Sequence, residues 1–362
     1  MLKTKGKKEM SREVELLYEN NNKKLVLYRD IREDTVKLFD EVLWGTGENQ
    51  YQHKDSKRRL ELLENPNFVE LHFKDELAGV CLFINRKVKT GDRLHNYFAV
   101  RYLFSVPKMR HLGITGRYAA KTMDLMEKRQ ESPTLFVGVV EHKNKRSFRL
   151  VRSLGYQSFA TLKTMGFSRF FPKKSKRVFE VSGEDEKNQV LNCLEEFYSG
   201  YSMVHLNSIF KEPYFVYKKD GKILAGVQAQ KAHWIVKNLG KGLLASFVKI
   251  VPYLPFFRKI FNPNQFEFVG LDGIFYLPGK ERELFALFSH VIRTYKVHSA
   301  MFWADEKSHL YKDLTKSGKM GFLSYLTREG DSYMMVKPKN IPPEEIEEIK
   351  EKPSYHSAFD FL

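Results

Sequence analysis

A glycine-containing turn between an apolar strand and a helix gives the first chemical signal in this 362-residue sequence. The predicted strand is Tyr102–Val106, and the helix after the turn continues to Arg129. A helix start presents unpaired backbone N–H groups and the positive end of the helix dipole. Because glycine lets the backbone approach a ligand closely, this turn is typical of a phosphate or pyrophosphate site. The residues expected to bind there are Val106, Arg110, His111, Leu112, Gly113, Ile114, Thr115 and Gly116.

A second motif follows one strand later. Thr134–Val140 is a short apolar run that predicts a buried strand, and the helix that starts at Asn144 ends at Gly155. Together the two motifs resemble the GNAT N-acetyltransferase superfamily, whose acetyl-CoA loop reads R/Q-x-x-G-x-G/A. Arg110-x-x-Gly113-x-Thr115 matches that loop. The family's following motif is matched by Asn144, Ser147, Leu150, Leu154, Gly155 and Tyr156.

This resemblance implies acetyl-CoA as co-substrate, held by the turn together with Asn144 and Ser147, and transfer of its acetyl group to a primary amine. Two departures limit what it implies. Val151 occupies the place where many members carry a tyrosine that protonates the departing CoA thiolate. Val139 occupies the place where some members carry a glutamate. The resemblance therefore supports CoA binding better than it supports any one acid or base.

Acylation of an amine needs a base near the open end of the central strands, because the amine must lose its proton before it attacks. Sequence position allows His95, Tyr102, Glu141 and His142. Glu141 and His142 directly follow the strand Thr134–Val140, close to where the family's acceptor amine lies. The predicted catalytic residues are Glu141, His142 and Tyr102. The histidines show no metal-ligand spacing, so no metal is expected.

Composition narrows the class of protein. The length suits two domains, and the net charge of +17 suits CoA or an anionic lipid surface, while a nucleic-acid partner is not expected. Cys81 and Cys193 fit no metal or redox spacing, so a reduced, cytoplasmic compartment is the simplest expectation. The N-terminal residues lack the apolar core of a signal peptide, and no apolar run is long enough to span a membrane.

The chain divides into two predicted units of the same kind. The predicted domains are a charged leader over 1–22, an acetyl-CoA-binding domain over 23–172, a degenerate copy over 176–340 and a charged, solvated tail over 341–362. Landmarks recur in order, among them Leu-Ala-Gly-Val at 77–80 and 224–227. The second copy has acidic residues where the first has its glycine turn, so it is not expected to bind CoA. The expected fold class is α/β with a mixed sheet, as two GNAT-like acyl-CoA N-acyltransferase domains in tandem.

An insertion over 231–265 distinguishes the second copy. It lies in a stretch without Asp or Glu, and Trp234–Phe261 mixes aromatic, aliphatic and basic residues. Two interpretations remain open: an amphipathic element facing anionic lipid or a lipophilic substrate, or an inserted helix with its apolar face on the core. The function expected is an N-acetyltransferase. The alternatives are a catalytically inactive CoA-binding module and an acyltransferase that works at the membrane surface on a lipophilic substrate.

Overall fold

The structure is a computed structural model that describes residues 14–46, 49–106, 114–239, 250–328 and 330–360. The described strands are β1 Val14–Asn20, β2 Lys23–Tyr28, β3 Trp44–Thr46, β4 Asn49–His53, β5 Pro66–Phe73, β6 Glu76–Thr90, β7 Arg93–Ser105, β8 Thr134–Glu141, β9 Gln157–Ser168, β10 Val178–Glu180, β11 Tyr214–Lys219, β12 Lys222–Leu239, β13 Phe266–Tyr276, β14 Ser299–Asp305 and β15 Asp331–Lys339. The described helices are α1 Glu33–Glu41, α2 Ser56–Glu61, α3 Ile114–Lys128, α4 Lys145–Ser153, α5 Glu184–Phe197, α6 Pro255–Ile260, α7 Glu281–Thr294, α8 His309–Lys316, α9 Leu323–Thr327 and α10 Pro343–Glu351, with 3₁₀ turns at Val251–Tyr253 and Ala358–Asp360.

One continuous mixed sheet runs through the described residues. Its strand order is β1-β2-β5-β6-β7-β8-β15-β9-β14-β13-β12-β11-β10, with β4 joining β3 to β12. Two neighbouring pairs are parallel, β7 with β8 and β13 with β14, and the remaining pairs are antiparallel. Each parallel pair lies at the end of an antiparallel series, β5-β6-β7 in one case and β11-β12-β13 in the other. This repeated order confirms the predicted mixed α/β fold built from two similar units.

The two units exchange their last strands. β9 follows the N-terminal unit in sequence but pairs with β14 of the C-terminal unit, while β15 from the end of the chain pairs with β8. β9 and β15 also pair with each other, which closes the sheet across the junction. Strand β9 therefore does not complete the sheet of the unit that precedes it in sequence. A strand with no local partner pairs wherever a free sheet edge is offered, and the sequence pattern does not say which edge that is.

Helix α7 shows how sequence pattern produces the C-terminal core. Leu284, Leu287, Phe288 and Val291 recur at helical spacing and are fully buried. Burying each such side chain contributes about 1.5–3 kcal/mol relative to exposure. The helix therefore packs its apolar stripe on β12, β13 and β14.

Two predicted segments differ in the structure. Part of the expected charged leader, Val14–Asn20, is strand β1 and pairs with β2. In the insertion, strand β12 continues to Leu239, and Trp234 within it pairs with both Phe266 and His53. Trp234 therefore belongs neither to an amphipathic element facing lipid nor to an inserted helix, and residues 240–249 of the predicted segment lie outside the described residues. None of the helices in the described ranges combines the length and the apolar content that crossing a bilayer requires.

Candidate functional site

The two central strands of the N-terminal unit, β7 and β8, are paired along only part of their length. β7 pairs with β8 from Asn96 to Val100, where Val100 faces Gly138, and beyond this point the register gives β8 no partner on β7. The cause is a β-bulge directly afterwards: Tyr102 has a φ of 54° and the β6 register shifts between Val80 and Leu82. The bulge bends β7 away from β8 and leaves a wedge between them, which we call the N-terminal opening.

Glycine at position 79 is what lets β6 follow the bent strand. A Cβ atom at Gly79 would lie 2.7 Å from the carbonyl oxygen of Phe104, which is closer than real Cβ atoms approach. Any side chain here would push β7 off β6 beyond the bulge. Gly79 of the first Leu-Ala-Gly-Val tetrapeptide therefore allows β6 to stay paired with β7 where β7 bends to form the opening.

Polar side chains line the N-terminal opening. The guanidinium group of Arg59 donates to the hydroxyl oxygen of Tyr102 at 2.6 Å, and the hydroxyl group of Tyr51 donates to Oε1 of Glu141 at 3.3 Å. Tyr102 also packs against the rings of Trp44 and Phe39, with centroid distances of 4.8 and 4.7 Å. Strand β4 and helix α2 thus bring polar groups to both sides of the wedge.

Strand β4 ties this cluster to the C-terminal unit. Tyr51 and His53 both stack on Trp234 of β12, at 4.7 and 5.1 Å between ring centroids. Burial, helped by the negative charge of Glu141, raises the pKa of Tyr51 well above its usual value, so Tyr51 remains a hydroxyl donor. Burial and the charge of Arg59 lower the pKa of His53 well below its usual value, so that imidazole is neutral.

The predicted catalytic residues do not all lie together. Tyr102 and Glu141 both border the N-terminal opening. His142 is exposed on the surface and stacks on Tyr333, with Nε2 3.4 Å from the Tyr333 hydroxyl oxygen. His95 is buried at the far end of β7, with its Nε2 2.6 Å from Oε1 of Glu345. The geometry therefore favours Glu141 over either histidine as the group facing the wedge.

The predicted cofactor residues are described in part. Arg110, His111, Leu112 and Gly113 lie outside the described residues, and Ile114 and Thr115 are described only as the first residues of α3. The N–H group of Val106 donates to the carbonyl of Ala78 at 2.9 Å, so it extends the sheet.

The remaining predicted cofactor residues lie where α3 and α4 meet. Oδ1 of Asn144 accepts a hydrogen bond from the N–H group of Ser147 at 2.9 Å and caps α4. Gly116 lies beside Leu150 of α4, where an added Cβ atom would make ordinary contact at 3.8 Å. The start of α3 therefore lies against α4 beside β8. In the described ranges no group of His, Cys, Asp or Glu is arranged to hold a metal.

The C-terminal unit contains a second opening of the same construction. β13 and β14 pair at Val269 and Gly270, and a bulge follows at Gly273, whose φ of 54° equals that of Tyr102. The strand registers make Asp272 the counterpart of Arg101 and Asp305 the counterpart of Glu141. The connection after the bulged strand, however, is only residues 277–280, half as long as residues 106–113.

The end of the chain fills this second opening. We call residues 353–360 the C-terminal segment. Asp272 accepts hydrogen bonds from the hydroxyl groups of Tyr355 and Ser357, at 3.2 and 2.7 Å, and Oδ2 of Asp305 accepts from the N–H group of Ser354 at 2.8 Å. Tyr355 and Ser357 are buried. The prediction of a solvated tail is therefore wrong for this segment, because polar groups of Ser354, Tyr355 and Ser357 have hydrogen-bond partners inside the protein.

A buried ion pair anchors the C-terminal segment to the N-terminal unit. Nη2 and Nη1 of Arg86 donate to the two carboxylate oxygens of Asp360, at 2.7 and 3.1 Å, and Nη1 lies 3.0 Å from Nε2 of His205. Burial alone would raise the pKa of Asp360, but the charge of Arg86 holds it well below its usual value. Asp360 is therefore ionised and paired.

Buried histidines make the free energy of unfolding depend on pH. Burial lowers the pKa values of His53, His205 and His356, the last to about 4. An unfolded histidine titrates near pH 6.5, so below that pH the unfolded state binds more protons than the folded state. Stability is complete above about pH 6.5 and falls towards about pH 4. At about pH 5 we expect His356 alone to account for a loss of about 2 kcal/mol, measured by chemical denaturation.

The matched control for this pH dependence is His142, which is exposed. His356→Asn should flatten the dependence of unfolding free energy on pH between about pH 6.5 and 4, while His142→Asn should leave it as it is. An unchanged slope in His356→Asn would contradict the assignment.

Several residues at the N-terminal opening were missed by sequence reasoning. Tyr51, His53 and Arg59 lie in segments that carry no motif. Tyr51 and His53 are positioned by the pairing of β4 with β12 far along the chain, and Arg59 follows them in α2. Arg101 was missed although it is adjacent to Tyr102, a predicted residue. No local sequence pattern predicts such a bulge when the residue with the positive φ is tyrosine rather than glycine.

The chain matches no known protein-family profile and no curated protein sequence. Among solved structures it is similar to N-myristoyltransferase from Saccharomyces cerevisiae with bound myristoyl-CoA. One such structure has a TM-score of 0.58 and 10% identity over 97% of this chain and 92% of its own. Another has a TM-score of 0.59 and 10% identity, over 97% and 88%.

A GCN5-related N-acetyltransferase from Anabaena variabilis is also similar, with a TM-score of 0.45 and 12% identity over 78% of this chain and 66% of its own. Identities this low allow a conclusion about the fold alone. That fold agrees with the two bulged openings and the repeated strand order. The chain therefore has the fold of the GNAT superfamily, as two GNAT-like units in one sheet.

Proposed function

We propose that this protein is an N-acyltransferase that transfers an acyl group from an acyl-CoA to a primary amine, with acetyl-CoA as the first thioester to test. The observation that carries the proposal is the N-terminal opening. There a bulged strand leaves its parallel neighbour, with Tyr102 and Glu141 on its borders. β7 keeps β6 as its partner on one side, and the register of its pairing with β8 ends at Val100, which leaves room between the two strands for a thioester arm.

We assign acyl-CoA to the N-terminal opening alone. In support, the C-terminal opening already contains the C-terminal segment, and its connection 277–280 is too short to repeat the glycine turn. The proposed acyl-CoA domain spans 23–172 and the degenerate copy 176–340. The sequence motif around Arg110 and Gly113 remains the predicted pyrophosphate site, placed where β7 leads into α3.

Glu141 is the proposed general base. When the amine nitrogen bonds to the thioester carbon, its proton passes to the Glu141 carboxylate and the carbon–sulfur bond breaks. The counterpart in the other unit supports this role, because Asp305 at the same register position accepts an N–H group that enters its own opening. Tyr51 orients Glu141 by donating a hydrogen bond to it.

Tyr102 is the proposed acid. Its hydroxyl group, held by Arg59, can give a proton to the departing CoA thiolate, and the adjacent guanidinium charge stabilises the phenolate that forms. This assignment supplies an acid although Val151 occupies the family's usual tyrosine position.

We place the acceptor amine in the wedge itself, because Glu141 must take its proton there. The depression beside Arg59 is not assigned to the amine. Arg59, Arg86 and Lys211 line it too, and the carboxylates of Glu212 and Asp360 are already paired with Arg58 and Arg86.

The experiment has two steps. Calorimetric titration with acetyl-CoA and with myristoyl-CoA measures binding and the preferred chain length, and thiol release with a panel of primary amines measures turnover. Binding with turnover supports the proposal. Binding without turnover would favour the catalytically inactive CoA-binding module, and absence of binding to either thioester would overturn the cofactor assignment.

Gly116→Asp should weaken acyl-CoA binding about tenfold or more, because it adds a carboxylate beside the predicted pyrophosphate site. The fold should persist, since a Cβ atom fits at this position and an acidic residue in the first turn suits the helix dipole. The matched control is Gly279→Asp before α7, where no atom lies within 4 Å of an added Cβ atom. Its φ of 72° strains any residue other than glycine, so stability is measured beside affinity and binding is compared on folded protein. A loss of affinity in Gly279→Asp with full affinity in Gly116→Asp would show that the two units were assigned in the wrong order.

A further inference from the structure

Three segments that are distant in sequence meet around the ring of Phe257 in helix α6. Phe170 and Phe322 both pack against that ring, with centroid distances of 5.6 and 4.9 Å. The guanidinium group of Arg169 also donates to the carbonyl of Lys319 at 2.7 Å. Residues 169–177, 250–260 and 316–328 therefore form one surface, which we call the Phe257 surface.

Large apolar side chains protrude from all three segments of the Phe257 surface. Tyr253 is 83% exposed, Phe256 is 58% exposed, and each is close in sequence to the contacts around Phe257. The full set of exposed apolar side chains here is Phe171, Ile250, Tyr253, Phe256 and Tyr325. A concentration of exposed aromatics on packed neighbouring segments marks an interaction site, because each exposed ring costs free energy in water.

The charges on the same surface all have one sign. The basic residues of the three segments are Arg169, Lys173, Lys174, Lys176, Arg177, Arg258, Lys259, Lys316, Lys319 and Arg328, and the segments contain no Asp or Glu. The whole chain has 44 acidic residues against 61 basic ones, so composition alone does not produce this separation. The partner must therefore be anionic and also accept aromatic rings.

We propose that the Phe257 surface binds the headgroup region of an anionic bilayer. Tyrosine and phenylalanine partition into the membrane interface, and lysine and arginine are attracted to acidic headgroups. Trp234, which the sequence had placed in such an element, is not part of the surface because it is buried against Tyr51 and His53. The surface belongs to the C-terminal unit and its junction, so the inference does not depend on acyl-CoA binding.

The test is co-sedimentation of the full chain with vesicles of phosphatidylcholine alone and of phosphatidylserine mixed equally with phosphatidylcholine. Binding is expected for the mixed vesicles, and it should weaken as salt shortens the Debye length from about 30 Å to about 8 Å. Arg258→Gln with Lys259→Gln should lower the vesicle affinity roughly five-fold for each charge removed. Tyr253→Ser with Phe256→Ser should lower it by roughly tenfold or more.

Leu94→Ser is the matched control, because Leu94 is a similarly exposed apolar residue, at 62%, in the β6–β7 hairpin of the N-terminal unit. It should leave vesicle binding unchanged. Failure to bind mixed vesicles at low salt would overturn the proposal. So would binding that Leu94→Ser weakens as much as the aromatic double variant does.

A nucleic-acid partner gives a different result. Binding to double-stranded DNA that the charge variants weaken and the serine variants leave intact, without vesicle binding, would assign the basic residues to a nucleic acid and overturn the proposal. Acyl-CoA titration of each variant should match that of the unaltered protein. The membrane inference and the proposed activity can therefore fail separately.

Discussion

Glu141→Gln is expected to lower kcat/KM for amine acylation by about two orders of magnitude or more, while acyl-CoA affinity stays unchanged. The amide keeps the size of the side chain and can still accept the hydrogen bond from Tyr51, but it cannot take the amine proton. The measurement is thiol release with the best amine of the panel, together with calorimetric titration of the thioester. The free energy of unfolding should change little, since Glu141 lies at the end of β8 and is only half-buried.

Two further variants test whether Glu141 is the residue that takes the amine proton. Tyr51→Phe removes the hydroxyl group that orients Glu141 and should cost about tenfold in kcat, with the acidic limb of the pH profile displaced and the affinity for acyl-CoA retained. His142→Gln should leave kcat unchanged, because His142 faces solvent beside Tyr333. Loss of activity in His142→Gln with full activity in Glu141→Gln would mean that His142 is the base and that its side chain turns towards the substrate.

The local parts of the fold could be predicted from the sequence. The last part of β7, helix α3 and the helix after Asn144 follow from apolar spacing, helix ends and two motifs, all of which act over a few residues. Helix α7 is another such case. The predicted turn at 110–116 lies mostly outside the described residues. The mixed α/β class was implied by the family resemblance together with the order of these elements, and the structure confirms it.

Long-range pairing could not be predicted in the same way. Nothing in Asn49–His53 specifies that this strand pairs with β12, yet that pairing brings Tyr51 to Glu141. The exchange of β9 and β15 likewise depends on which sheet edge is free once both units have folded. Such contacts are fixed by the whole packed structure and leave no periodic trace in the sequence.

The tetrapeptide repeat pointed to two similar units, although its two copies do not occupy equivalent positions in those units. The registers of the two bulges make Val80 the counterpart of Gly226, so Leu-Ala-Gly-Val at 77–80 and 224–227 is one position out of alignment. The two glycines meet different neighbours, the Phe104 carbonyl at Gly79 and the Phe275 ring at Gly226. The feature that the two units share is a β-bulge beside a parallel strand pair, and the identity of the two tetrapeptides does not reveal it.

The polar composition of the C-terminal segment predicts a solvent-exposed tail, whereas the structure buries the segment. Residues 354–360 include serines, histidine and aspartate, a composition that usually lies on the surface. The buried polar groups of Ser354, Ser357 and Asp360 have partners on β14, β13 and β6, respectively. Those partners lie up to 274 residues away, so their match to the segment is visible only in three dimensions.

Arg86→Met is expected to lower the free energy of unfolding by about 3–5 kcal/mol, because it leaves the carboxylate of Asp360 buried without its counter-ion. The Arg86 and Asp360 side chains are only 4% and 5% exposed, so water cannot replace the lost partner. Chemical denaturation of the full chain measures the change. The loss should fall as the pH approaches the lowered pKa of Asp360, since a protonated carboxyl group no longer needs the guanidinium charge.

Arg93→Met is the matched control, because Arg93 also lies in the β6–β7 hairpin and also pairs with the C-terminal part of the chain, through Glu348. Its side chain is 55% exposed, so the loss should stay below about 1 kcal/mol. Arg86→Met combined with Asp360→Leu should recover most of the stability, because an apolar pair leaves no charge unpaired. If the double variant is instead as unstable as the single one, the ion pair itself, rather than the orphaned carboxylate, holds the C-terminal segment in the second opening.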